Sequence, residues 1–329
     1  MSRAAFPIAA HPGMSRMFPP DGRLTVGVFF AIEAYAGAVP TMADQVELAR
    51  RAEALGFAAL WFRDVPLYEP SFGDVGQIHD PWVYLGHIAA HTTEVALATG
   101  GIVLPLRHPL DVAKAAASVD VLSSGRMVLG IASGDRPVEY PAYGIDLATR
   151  AERYREAVRF LRRAHEDFPV VRSALGSLSG ATDLLPKPVA GALPVLAVGR
   201  AGQPLPWLAR HLDGLVTYPR SRAQQRRVIQ QWRDAVDTSA PGSRKPFAQS
   251  LYIDLVTDAG APPSPIHLGY RLGRRALIDH LRALREDGVA HVILNLKYGS
   301  RPAAGVIEEI GDHVLPALAD ASRTPAHAP

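Results

Sequence analysis

Eight times along this chain a short apolar run, rich in β-branched residues, gives way to a longer stretch with helical periodicity. That alternation constrains the fold more than any other feature. The apolar runs fall at residues 24–30, 58–62, 94–103, 126–132, 194–198, 214–218, 247–257 and 289–296. Helical stretches follow at 41–55, 81–92, 109–122, 149–167, 204–211, 221–237, 274–286 and 302–319. The punctuation agrees with this division. Thr41 is placed as an N-cap and Gly56 as a stop, while Pro81 and Pro109 open helices in their first turn, with Asp80 set to cap the one at Pro81.

Eight strand–helix pairs in about 300 residues match the size and order of an α/β (β/α)8 TIM barrel. Runs that are apolar throughout suit parallel strands covered on both faces. The rival is a doubly wound open sheet, usually marked by GxGxxG after its first strand, and residues 26–37 hold no such motif. One barrel domain is expected over 23–320. Residues 1–22 read as a flexible arm, 321–329 as a frayed tail, and 168–193, broken by proline and glycine, as an irregular insertion or small hairpin.

Composition removes several function classes. A hydrophobic fraction of 48% excludes a disordered or fibrous chain. With 35 Lys plus Arg against 32 Asp plus Glu, the net charge of +3 is no nucleic-acid footprint. The absence of cysteine excludes disulfide scaffolds, thiolate metal sites and cysteine nucleophiles. The twelve histidines form no HExxH, and His87 and His91, four apart, have no local acidic partner, so no metal is expected. There is no GxSxG or Walker A sequence. No segment approaches the roughly 18 apolar residues of a membrane span, and residues 1–20 lack a signal-peptide core. A soluble, cytoplasmic protein without membrane or nucleic-acid partners is the expectation.

In a barrel, chemistry sits in the loops after the strands' C-terminal ends. The third strand ends in Thr99-Gly100-Gly101, where adjacent glycines either admit a flat ligand close to the main chain or simply relieve crowding. The fourth ends in Ala132-Ser133-Gly134-Asp135-Arg136, a set of polar contacts or a plain turn. The fifth ends in Gly199-Arg200-Ala201-Gly202-Gln203 directly before a helix, combining backbone N–H groups with a guanidinium in a phosphate-cradle pattern. Asn295-Leu296-Lys297-Tyr298-Gly299 closes the eighth strand as ligand contacts or a solvated rim. His79 beside Asp80 is an acid–base candidate, although Asp80 is also the natural cap of the next helix.

Residues 99–134, TGGIVLPLRHPLDVAKAAASVDVLSSGRMVLGIASG, resemble the bacterial-luciferase-like flavin monooxygenase family. The shared pattern is an apolar strand, a small-residue pair, LP, xHP, an Ala-rich helix, LSxGR and GxxxG, and the likeness extends over about 24–318. Arg63-Asp64-Val65-Pro66, Phe72-Gly73-Asp74, His79-Asp80-Pro81 and Asn295-Leu296-Lys297 resemble one uncharacterised oxidoreductase subgroup. The resemblance implies a non-proline cis peptide at Gly100–Gly101, Ala132 where luciferase has a flavin-facing cysteine, and a flavin phosphate site over Gly199, Arg200, Ala201, Gly202 and Gln203. It also exposes a departure. Relatives often carry a catalytic histidine after an acid at the second strand, whereas this chain has Asp64-Val65, leaving Asp64 as a weak catalytic candidate.

The function so implied is an FMN-dependent oxidoreductase or monooxygenase acting on a small organic substrate. Its reducing equivalents would come from NAD(P)H or a separate flavin reductase. Three alternatives stand beside it: hydride transfer with the deazaflavin F-420, a flavin-binding protein without turnover, and an unrelated sugar-phosphate barrel. The family resemblance further implies a homo-oligomer, a dimer or tetramer.

Overall fold

The structure, a computed structural model, describes residues 10–320. The strands in chain order are β1 (Thr25–Phe29), β2 (Ala59–Phe62), β3 (Ala96–Thr99), β4 (Ile102–Val103), β5 (Met127–Ala132), β6 (Val170–Ser173), β7 (Gly176–Ser179), β8 (Val195–Val198), β9 (Gly214–Thr217), β10 (Phe247–Leu255), β11 (Ser264–Ile266), β12 (Gly269–Leu272) and β13 (His291–Asn295). Eight of them, β1, β2, β3, β5, β8, β9, β10 and β13, pair in parallel and close into a barrel. The closing pair sets Thr25 opposite His291 and Val28 opposite Leu294. Helices α2 (Gln45–Ala54), α3 (Pro81–Ala89), α4 (Pro109–Leu122), α5 (Glu139–Ala142) with α6 (Arg150–Ala164), α7 (Leu205–His211), α8 (Arg222–Ser239) and α9 (Arg274–Asp287) connect successive strands. The last connection is α10 (Ala303–Glu309), a π turn over Ile310–Val314 and α11 (Leu315–Asp320). The protein is therefore the expected (β/α)8 TIM barrel.

Strand alternation divides the core into two layers. Val26, Val28, Leu60 and Leu97 point outward beneath the helices. Ala59, Trp61, Ala96, Ala98 and Ala248 point inward. Each fully buried Val or Leu of the outer layer contributes about 1.5–3 kcal/mol.

The many small inward residues leave the floor of the barrel open, and the N-terminal segment closes it. α1 (Pro12–Met17) buries Met14 and Met17 there, Gly13 N–H donates to Gly125 O at 3.0 Å, and the fully buried His11 and Asp120 side chains meet at 3.1 Å. Residues 11–17 are thus a plug and not the loose arm their proline-rich sequence suggested. Of the rest of that 1–22 expectation, residues 18–22 form a turn in which Gly22 N–H donates to Pro19 O at 3.1 Å, while residues 1–9 and the 321–329 tail lie outside the described residues.

Other departures are local. Thr41 does not cap α2; Glu33 takes the Thr41 and Met42 N–H groups instead, at 3.1 and 3.0 Å, and the helix begins at Gln45. Asp80 does cap α3, accepting from Trp82 N and Val83 N. The 168–193 insertion carries the antiparallel β6–β7 hairpin. A second hairpin, β11–β12, occupies the connection between β10 and α9. There β12 runs along β10, and a Cβ on Gly269 would fall 1.8 Å from Tyr252 O, so glycine alone fits that position. Pro265 lies on β11, at the edge of the sheet, where a missing N–H costs no ladder bond.

Candidate functional site

The C-terminal ends of the strands converge on a cavity of about 250 Å³. This is the face at which barrel loops build binding sites. Phe29 ends β1 in its wall, Arg63 and Asp64 follow β2, and Gly100 and Gly101 separate β3 from β4. Ser250 and Tyr252 enter from β10, two residues apart on one face, and Asn295 from β13.

The glycine pair lies on the cavity wall, but its peptide bond is trans. The non-proline cis bond is Phe30–Ala31, at the end of β1. What the glycines provide is close packing. A Cβ on Gly100 would lie 2.5 Å from the Phe29 ring, and one on Gly101 would lie 3.0 Å from Val198. Thr99 serves a structural end: its buried hydroxyl donates to Gly130 O at 2.7 Å and accepts from Gly130 N at 2.8 Å, tying β3 to β5.

Ala132, Ser133, Gly134, Asp135 and Arg136 line the next part of the wall. Arg136 is nearly buried and reaches across the mouth, its Nη2 donating to Asp74 O at 2.7 Å and its guanidinium lying 3.9 Å from the Phe72 ring centre. Asp135, half exposed, sits beside Arg136 at 3.5 Å and accepts from the Tyr218 hydroxyl at 3.4 Å.

Of the 199–203 turn, Gly199, Arg200 and Ala201 reach the cavity; Gly202 and Gln203 do not. Gln203 is buried and turned inward, donating to Ala151 O and Ala201 O at 2.9 Å and accepting from Arg155 Nε. Its N–H closes the turn on Arg200 O at 2.8 Å. Gly199, Ala201 and Gly202 have positive φ, the left-handed conformation that recurs in anion-binding nests. The Arg200 side chain is exposed at the lip.

The two acid–base candidates have different fates. Asp64 lines the cavity with its side chain only 1% exposed, yet both oxygens are occupied. Arg107 grips it in a fork, Nε to Oδ2 at 2.9 Å and Nη2 to Oδ1 at 2.7 Å, and Val103 N donates to Oδ2 at 2.9 Å. It is a structural anchor for the β4 segment. His79 lies outside the cavity, its ring 5.2 Å from that of Tyr84.

Sequence reading passed over the densest polar cluster, which centres on Asp74. Its Oδ1 accepts from the Tyr35 hydroxyl at 2.7 Å and Gly76 N at 2.8 Å, and its Oδ2 from Arg63 Nη1 at 2.8 Å and the Tyr252 hydroxyl at 3.2 Å. Lys297 Nζ stands 3.8 Å from Oδ1. Burial pushes this carboxyl up, but the Arg63 charge and the hydrogen bonds from Arg63, Tyr35 and Gly76 outweigh it and hold it at about 2. Burial raises the Tyr35 and Tyr252 hydroxyls and lowers the Lys297 ammonium. The subgroup resemblance included Arg63, Asp74 and Lys297 without giving them a role, and the local signal was an acid flanked by Gly73 and Gly76, which any exposed turn could show.

Fold and site together define a (β/α)8-barrel protein with a cavity at its C-terminal mouth. Within that class the chain belongs to the luciferase-like monooxygenase family, whose model matches residues 24–254. It is 32% identical over 189 residues to an uncharacterised protein of Mycobacterium tuberculosis, a match covering 52% of this chain and 66% of that one. Its fold resembles an F420-dependent secondary alcohol dehydrogenase solved with an F420–acetone adduct, at TM-score 0.73 and 19% identity over 90% of this chain and 99% of that one. It also resembles the oxygenating constituent of 3,6-diketocamphane monooxygenase from Pseudomonas putida, solved with FMN, at TM-score 0.71 and 13% identity over 89% and 98%. Among the described residues no helix is long and apolar enough to cross a membrane.

Proposed function

We propose that this chain is an oxidoreductase or monooxygenase using a flavin-type cofactor in the mouth cavity, FMN as the first reading and the deazaflavin F-420 as the second. The observation that carries it is the 199–201 turn, where nest-like backbone and the exposed Arg200 guanidinium flank a chamber walled by Phe29 and glycines that allow close approach. The residues fit the group: Gly199, Arg200 and Ala201 would hold its phosphate, and Gly100, Gly101, Ala132 and Ser133 would bound the ring. The likeness in fold to the F420-dependent dehydrogenase supports the second reading. Such a cofactor supplies hydride transfer or, with FMN, oxygen activation.

The chain's own part is to bind, orient and exclude water. Arg136 and Phe72 draw the loop after β2 over the mouth, Asp64 and Arg107 fix the β4 segment, and the Tyr252 hydroxyl keeps its proton at Asp74 Oδ2. The proposal includes a small organic substrate, reducing equivalents from NAD(P)H or a separate reductase, and assembly as a dimer or tetramer.

Titrating purified protein with FMN, riboflavin and F-420 by visible absorbance tests the reading. FMN should bind at least about tenfold tighter than riboflavin, and Arg200→Ala should remove that preference without changing riboflavin affinity. Absence of binding by both FMN and F-420 refutes it.

A further inference from the structure

We infer that the β2–β10 side of the cavity is a carboxylate-binding subsite centred on Arg63, so that the substrate carries a carboxylate on an aromatic body. The inference rests on reading the cavity as a substrate chamber. Donors there exceed acceptors. Arg63 Nη1 is spent on Asp74, but its Nε is buried with no partner among the described residues. Ser250 is 6% exposed, lines the cavity, and its buried Oγ also has no partner. Tyr252, two residues along the same strand face, shares Asp74 Oδ2 with Arg63, which brings Arg63 and the β10 side chains to one wall.

Charge points the same way. Arg63 and Lys297 both stand against the single Asp74 carboxylate, at 2.8 and 3.8 Å, while Tyr35 and Tyr252 stay neutral. Asp64 is already neutralised by Arg107, and Asp135 lies at the outer rim beside Arg136. The Asp74 cluster behind this wall, which Arg63 joins to the cavity, therefore carries one positive charge in excess, and an uncompensated charge out of water is costly. A ligand carboxylate would neutralise it and accept from Arg63 and Ser250 with the planar geometry a guanidinium favours. Phe29, Phe72 and Tyr218 supply the flat apolar walls around it.

Calorimetric titration of the full chain with benzoate and its neutral isostere benzamide, with and without FMN, tests this. Wild type should bind benzoate at least about tenfold tighter than benzamide, and Arg63→Gln should bring that ratio to about one. Ser250→Ala, a smaller change to the fold, should weaken benzoate about threefold and leave benzamide unchanged. Equal binding of the two probes by wild type, or binding of neither, overturns the inference. So does an Arg63→Gln protein that loses FMN affinity while its benzoate preference persists. Should wild type bind benzoate selectively yet bind neither FMN nor F-420, the cofactor reading fails and this one stands.

Discussion

Replacing Asp74 by asparagine keeps the shape of the side chain and removes its charge from a site where four donors and two cations converge. The carboxyl lies at about 2 in the folded protein against an ordinary 3.8, and each factor of ten in proton affinity is worth about 1.4 kcal/mol, so its charged form stabilises the fold by about 2.5 kcal/mol. At 8% exposure, solvent screening takes little of that away. The Asp74→Asn protein should therefore be about 2–3 kcal/mol less stable at pH 7, and Asp74→Ala about 3–5 kcal/mol, because it strands Arg63 and Lys297. Stability from a depressed carboxyl is complete above its unfolded value near 4 and is lost as pH falls toward 2. Urea midpoints of wild type and Asp74→Asn should accordingly converge between pH 5 and 2. Parallel curves across that range would refute the reasoning.

Arg126 presents a purely structural counterpart. It is 5% exposed and donates five hydrogen bonds, to Ser123 O, Thr92 Oγ1, Val95 O, Ala89 O and Thr92 O, joining the ends of α3 and α4 to β5. Arg126→Met leaves those acceptors unpaired and should cost about 3 kcal/mol, a fall of about 4 °C in Tm by calorimetry; an unchanged Tm would contradict this. His291, inside the barrel, accepts from Trp61 Nε1 at 3.0 Å through Nε2, which puts its proton on Nδ1 facing Thr25 Oγ1 at 2.7 Å. Burial pulls it down to about 3, so its contribution to stability is full above pH 6.5 and declines as the pH falls below that. Nitrogen NMR at pH 5 should show a neutral ring protonated at Nδ1, and an imidazolium signal there would disprove the assignment.

The barrel was legible because periodicity and punctuation are local. Runs such as 126–132 are apolar enough to demand cover on both faces, and Asp80-Pro81 caps its helix through bonds that span three residues. The glycine and small-residue loops at 100–101, 132–135 and 199–201 were legible as cavity wall for the same reason, since each lies at or just past the end of a strand. Thr99, Gln203 and His79 were misplaced because type and position in a loop say nothing of where a side chain turns. Thr99 and Gln203 found buried backbone partners, and His79 a ring partner on α3.

What the sequence determined by itself, then, is the barrel and the strand ends around which the mouth cavity forms, because both follow from short-range hydrophobic pattern. Tertiary structure alone decided which side chains meet there. Asp74 draws Tyr35, Arg63, Tyr252 and Lys297 from four separate loops and strands, Tyr252 lying 178 positions away in the chain. Residues 11–17 became a plug only because the inward alanines left a floor to fill. Closing a ring of strands brings residues distant in the chain into one low-dielectric space, and pairing there depends on charge balance and room that no local window of sequence contains.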